Sequence, residues 1–319
     1  VQEDSVNKYQ EMRLDTLNQP CFNTTLMGVL RGVMDYCGIP VSDAMIYGGT
    51  GHAFLMNIHR ELCPSGPYCW NAGTLFERLH NFGIRFVDLG FFGPDSSPEQ
   101  RGRVEAEIRS LLDQGVPCAL LNLENQLIAG YTGDHFITLK PWPGHDFPPG
   151  TLTFGSWVEF GEAVHCSFYA FRKAGEVNEA AIIRDSLRDA LDLYRTPEHV
   201  SSEPYAGGLN AYDLWIQAVR DGHGKSHGNW WNAMVWGECR ARAAAWMDEL
   251  GVRLGAEFRD LTDPLGANYR MIAKNLEVVS NRELGENKKA EILLRTREIE
   301  SRQIELLEQL SARYSRYTQ

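Results

Sequence analysis

Asn18-Gln19-Pro20-Cys21-Phe22-Asn23-Thr24-Thr25-Leu26, running on to Gly38, decides how the first half of this chain is read. Phe22, Leu26, Val29, Leu30, Val33 and Cys37 recur at helical spacing. Pro20 suits the first position of a helix, and Gly38 the residue just past its end. The pattern predicts a helix with Cys21 in its first turn. Unpaired N–H groups and the positive dipole end favour a thiolate there. A cysteine so placed can serve as a nucleophile. The same position also fits a buried helix-start cysteine with no chemistry.

Working outward, the first 20 or so residues are polar and read as an arm or short strand. Ser42 to Met45 starts a second short helix, followed by Tyr47-Gly48-Gly49-Thr50-Gly51-His52-Ala53-Phe54. Glycines this dense mark a turn or a close backbone approach. Leu55 to His59 and Ile84 to Leu89 read as strands, Ala72 to Phe82 and Pro98 to Gln114 as helices. Pro117 to Leu123 is nearly all apolar and reads as a central strand. Gln126 to Tyr131 and His135 to Leu139 flank Thr132-Gly133-Asp134, a hairpin signal. Thr151 to Phe154 and His165 to Phe171 read as further strands. Helices early and antiparallel strands late predict an α+β domain over residues 1–175. From Glu176 onward the patterning is helical only, with segments near 177–195, 207–221, 229–250, 266–281 and 285–314. Residues 176–319 are therefore expected as a helical domain or lid.

Bulk properties exclude several classes. The 319 residues carry 31 Lys plus Arg against 42 Asp plus Glu, a net charge of −11. That disfavours nucleic acid and anionic membrane surfaces as partners. No apolar stretch approaches a membrane span, and no signal peptide is visible. Seven cysteines, without the spacing of a disulfide scaffold, read as reduced thiols in a cytoplasmic protein.

Several segments together carry a resemblance. Cys21-Phe22-Asn23-Thr24-Thr25-Leu26 opens a helix that runs into Tyr36-Cys37-Gly38-Ile39-Pro40-Val41-Ser42. The glycine-rich Gly48-to-Phe54 segment and a strand led by Gly115-Val116-Pro117 follow. In this the first domain resembles the papain-like fold of the C39 peptidase-like group. Within that group it is most similar to the N-terminal domain of the butirosin biosynthesis protein H family. The resemblance implies a thiol-dependent acyl transfer or amide-cleaving enzyme acting on a small amine or peptide. It also implies an acyl carrier protein as a candidate partner, and it calls for no cofactor. Such an enzyme needs a thiolate, a histidine base, an orienting Asp or Asn, and oxyanion donors. Cys21 would be the nucleophile, with Gln19 or the Cys21 backbone N–H as oxyanion donor.

The base is where two registers compete. In the family the histidine begins the strand that ends Gly-Tyr, and the Asp ends the next strand before Pro. On that register Glu124 or Asn125 takes the histidine position and Lys140 the Asp position, and the triad is degenerate. The other register makes His135 the base, because it precedes the apolar run Phe136-Ile137-Thr138-Leu139. His135 follows the hairpin turn directly, roughly 20 Å from the catalytic end at ordinary strand rise. Glu124 ends an apolar strand, so pairing with Lys140 or an Arg is its structural role; its functional role would be as a base on the thiol or in binding a substrate amine. His52 is a second candidate base; alternatively it is a loop histidine bonded to a backbone carbonyl. Glu124 and Lys140, rather than His135, are expected to face Cys21. The rival to the enzyme is a catalytically degenerate relative that binds a small molecule or partner protein in the old cleft.

No metal site is expected. His59, Cys63 and Cys69 match no trusted zinc spacing, and Pro64, Pro67 and Trp70 are expected to anchor that loop instead. The His223 and His227 pair lies among glycines. Glu238 and Arg240 are two residues apart and would pair with other segments.

Overall fold

Several helices begin where a short polar side chain caps them. Ser42, Ser97, Asn178 and Ser226 each accept a backbone N–H from three residues on, and Gln100 completes a capping box with Ser97. A computed structural model describes residues 11–161 and 164–318. The part of the expected N-terminal arm before Glu11 lies outside the described residues.

In chain order the strands are β1 (Met12–Arg13), β2 (Asn57–His59), β3 (Ile84–Phe92), β4 (Cys118–Asn122), β5 (Glu124–Tyr131), β6 (His135–Thr138), β7 (Thr151–Thr153), β8 (Cys166–Lys173) and β9 (Tyr205–Gly207). The helices are α1 (Thr25–Tyr36), α2 (Asp43–Gly49), α3 (Gly73–Arg78), α4 (Pro98–Asp113), α5 (Glu179–Arg195), α6 (Gly208–Arg220), α7 (His227–Leu254), α8 (Arg259–Ser280) and α9 (Glu286–Tyr317). The chain is α+β, as its patterning predicts.

Two compact units divide the described chain, and the division is not the one expected. The first holds residues up to Pro40 together with Ile84–Ala174; the second holds Val41–Gly83 together with everything from Gly175. The break near 175 coincides with the change in patterning. The segment 41–83, expected in the first domain, packs with the C-terminal helices instead. The reason lies in its glycines. A Cβ on Gly48 would stand 2.3 Å from the Trp246 ring, and one on Gly49 2.6 Å from Ile182 and 2.7 Å from Phe82. The glycines run into the end of a longer α2 and leave room for side chains of α7 and α5. The second unit is also not purely helical, because β2 pairs antiparallel with β9.

In the first unit the sheet runs β3-β8-β4-β5-β6-β7, every neighbouring pair antiparallel, and β1 joins β5. Strand β5 is buried along its whole length. Helix α1 packs on it with Leu26, Val29, Leu30 and Val33 buried. Helix α4 buries Val104, Ile108, Leu111 and Leu112. Full burial of side chains of this size contributes about 1.5–3 kcal/mol each. In the second unit α7, α8 and α9 pack in succession, and α5 and α6 both pack on α9.

Candidate functional site

Cys21 is exposed and precedes the helix rather than opening it. The spacing puts it in the first turn; the structure starts α1 at Thr25, with the Thr24 carbonyl accepting from Met27 and Gly28. The physical reason lies just upstream. The Asn18–Pro20 backbone runs along α1 so closely that a Cβ on Gly32 would sit 2.0 Å from the Asn18 carbonyl oxygen, and one on Gly28 2.7 Å from that of Pro20. The chain therefore lies against α1, turns at Cys21–Asn23, and only then enters the helix. Pro20 belongs to the approach and not to the first turn.

Both ends of this turn are tied to the start of β5. Gln19 is buried; its Nε2 donates to the Asn125 carbonyl and its Oε1 accepts from the Leu127 N–H, each at 2.8 Å. Its amide acts as a stretch of strand, with both its oxygen and its nitrogen engaged by β5 backbone. Thr25 Oγ1 donates to Glu124 Oε2 at 2.8 Å and accepts from the Asn125 N–H at 3.0 Å. Glu124 and Asn125 are both buried, and Leu123 before them takes φ +64 to make the tight turn from β4. So Gln19, Cys21, Thr25, Glu124 and Asn125 belong to one neighbourhood.

His135 and Lys140 are engaged elsewhere. His135 stands where the β5–β6 hairpin closes: the Thr132 N–H bonds its carbonyl at 2.9 Å, and its Nδ1 lies 2.7 Å from Asp134 Oδ1. Tyr131 pairs with Phe136 beside it, so the hairpin separates His135 from Asn125 by roughly 20 Å at about 3.4 Å per residue. Lys140 does not pair with Glu124. Its ammonium donates to the carbonyls of His145 at 2.7 Å and Asp146 at 3.2 Å, within its own loop. That loop is drawn onto β5 by Gln126, whose Nε2 donates to the carbonyls of Leu139 at 3.0 Å and Pro149 at 2.8 Å.

His52 belongs to the second unit and is buried there, 2% exposed. It is not the carbonyl-bonded loop histidine of the alternative reading: neither ring nitrogen has a hydrogen-bond partner among the described residues. Its ring lies 5.3 Å from that of Trp70, 6.2 Å from Tyr47 and 6.4 Å from Trp236. Burial pushes its pKa down to about 3, and the charge of Arg240 adds to the effect. His52 is therefore a neutral imidazole at physiological pH. Trp70 anchors its loop as expected, donating from Nε1 to the Pro67 carbonyl at 2.8 Å.

Arg240 does pair with a distant segment. It is fully buried against Glu300 at 2.8 Å, and its Nη1 donates to the carbonyls of Ala53 and Leu55, both at 2.9 Å. Tyr194 and Tyr212 donate to the same Glu300 carboxylate. This network fixes the backbone that carries His52. Glu238 accepts from the Tyr47 hydroxyl.

Two groups carry no signal in local sequence. Thr25 read only as an early helix residue, and its hydroxyl bridge to Glu124 depends on residues 99 positions apart. Arg78 and Asp189, joined by hydrogen bonds of 2.6 and 2.9 Å, are farther apart still. Each of the seven cysteines is a free thiol. Among the described residues no cluster of three or more His, Cys, Asp or Glu is arranged to hold a metal ion, and no helix is long and apolar enough to cross a membrane. No protein-family model matches the chain, and no curated protein matches it either.

Proposed function

We propose that the first unit is a papain-like domain of the C39 peptidase-like group with a degenerate triad. On this reading it binds a small molecule at the Cys21 end of β5 and does not transfer or cleave acyl groups. One observation carries the reading. The bonds from Gln19 and Thr25 hold the Cys21 turn at the start of β5, while His135 closes the far end of the hairpin with Asp134. Thiol catalysis needs a base within hydrogen-bond reach or one water away. On the family register Glu124 or Asn125 takes the histidine position, and Lys140 takes the Asp position. The glutamine, the cysteine, α1 packed on β5 and the antiparallel sheet support the papain-like part of the reading.

The enzyme reading is favoured by a different observation, the exposure of Cys21 at the turn leading into α1. The two are separated by treating the full chain with iodoacetamide and, in parallel, with an acyl thioester, and following the Cys21 peptide by mass spectrometry. We expect Cys21 to alkylate no faster than glutathione at the same pH, with no acyl-Cys21 adduct. His135→Ala should leave both results unchanged. An acyl-Cys21 adduct that forms in the wild type and disappears in His135→Ala would overturn the proposal.

A further inference from the structure

The second unit contains a pocket of about 330 Å³, within the size range of small-ligand sites. Thr50, Gly51 and His52 after α2, Trp70 and Asn71 before α3, Arg78 on α3, and Asp189 and Asp192 on α5 contribute to its wall. All of these residues belong to the second unit, so the reading of the Cys21 turn has no bearing on it. Gly51, at φ +76, brings the loop so close that a Cβ there would lie 3.3 Å from Asp189 Cβ.

Three features define what this pocket can hold. The first is His52. Its imidazole is neutral and enclosed, with both ring nitrogens buried, so it adds an uncharged ring to the wall. The second is charge. Arg78 is engaged by Asp189 through Nε and Nη2, and Arg188 lies 3.6 Å from the same carboxylate. Asp192, three residues further along α5 and half-buried, has no side-chain partner among the described residues. Among the Asp and Arg side chains of the pocket there is thus one matched pair and one unmatched carboxylate, and the His199 ring also lines it. The third is the apolar surface. Leu55, Leu75, Leu193 and Val200 line the pocket with the half-buried Trp70 ring. An aromatic ring and a carboxylate in the wall of one pocket both attract a cation that enters it.

We propose that this pocket binds a small organic amine with a flat apolar body. The ammonium meets Asp192, and the body lies among Trp70 and the leucines. A carboxylate-bearing ligand is repelled by Asp192, and a neutral one loses the ion pair.

The test uses the full chain and three probes of one shape: 2-phenylethylamine, 2-phenylethanol and 3-phenylpropanoate. Each is titrated calorimetrically and by ligand-observed NMR. The amine should bind at least about tenfold more tightly than the alcohol, and the acid should not bind. Asp192→Asn should weaken the amine about tenfold and leave the alcohol within twofold, while Trp70→Leu should weaken both. Glu99→Gln, on the exposed surface of the other unit, should change nothing. Asp192 is half-buried and its side chain has no partner among the described residues, so the variant should keep the wild-type thermal midpoint. Equal binding of amine and alcohol, preference for the acid, or amine binding indifferent to Asp192→Asn would each overturn the proposal.

Discussion

The turn at Cys21 and the loop at His52 each set a side chain of catalytic type near a close-packed glycine pair, yet they are held by opposite means. Gly28 and Gly32 let the chain lie along α1, and neutral bonds from Gln19 and Thr25 finish the turn, leaving Cys21 in water. Gly48 and Gly49 let α2 press against Trp246 and Ile182, and a buried guanidinium holds the next backbone, leaving His52 dry. Which side chains a reactive group meets is thus decided by what anchors the backbone on either side of it. At Cys21 the anchors lead to β5 and a carboxylate. At His52 they lead to aromatic rings and a pocket wall.

The comparison breaks most visibly if the charged anchor is removed. Arg240→Met leaves the Glu300 carboxylate buried without its cation and the carbonyls of Ala53 and Leu55 without their donor. The expected loss is roughly 3–5 kcal/mol in urea unfolding. A loss under about 1 kcal/mol would mean that the tyrosines alone hold Glu300. The neutral anchor should matter less. Gln19→Ala removes two buried bonds to β5, and about 1–3 kcal/mol is expected from the same measurement. The Cys21 peptide should also become the earlier site of proteolytic nicking.

The smallest effect sharpens the dry side of the comparison. With a folded-state pKa of about 3, His52 lies below the ordinary histidine value of about 6.5. The unfolded chain therefore takes up the proton first as the pH falls. The stability contributed by neutral His52 is complete above about pH 6.5 and declines on the way down to about 3, by up to about 1.4 kcal/mol per pH unit. His52→Phe should lose that part of the slope. Unfolding free energies of both proteins at pH 6.5 and pH 5 give the difference. Equal slopes would show that His52 is hydrated.

Local pattern made the fold class legible. The hairpin around Thr132-Gly133-Asp134 follows from alternation and turn chemistry, and the observed α5 to α9 track the helical segments within a few residues. Helix α8 is longer than expected: it begins at Arg259, so Pro264 stands inside the helix, where its missing N–H leaves one helical bond unmade. The start of α1 was misread because Pro20 carries a helix-start signal that the passage of Asn18–Pro20 along Gly28 and Gly32 overrides. The Glu124 side of the Cys21 neighbourhood was legible from strand ends alone. The direction of Lys140 was not, since its acceptors lie in a loop without periodicity. The Arg78–Asp189 pair and the pocket it helps to line arise from contacts across more than a hundred residues, which no local pattern records.

The second unit is assembled from two stretches of chain, and this sets an order of events during synthesis. Val41–Gly83 leaves the ribosome first, carrying Ile46, Phe54 and Leu55, which end up buried among helices not yet made. Residues 84–174 are then translated and belong to the other unit. At bacterial or eukaryotic elongation rates that interval lasts roughly 5–20 s. Throughout it the early segment has no core to join, and its apolar side chains are open to chaperones. A fragment beginning at Gly175 faces the converse problem: Trp246 and Ile182 would lack the glycine surface of α2 and would seek it on other molecules.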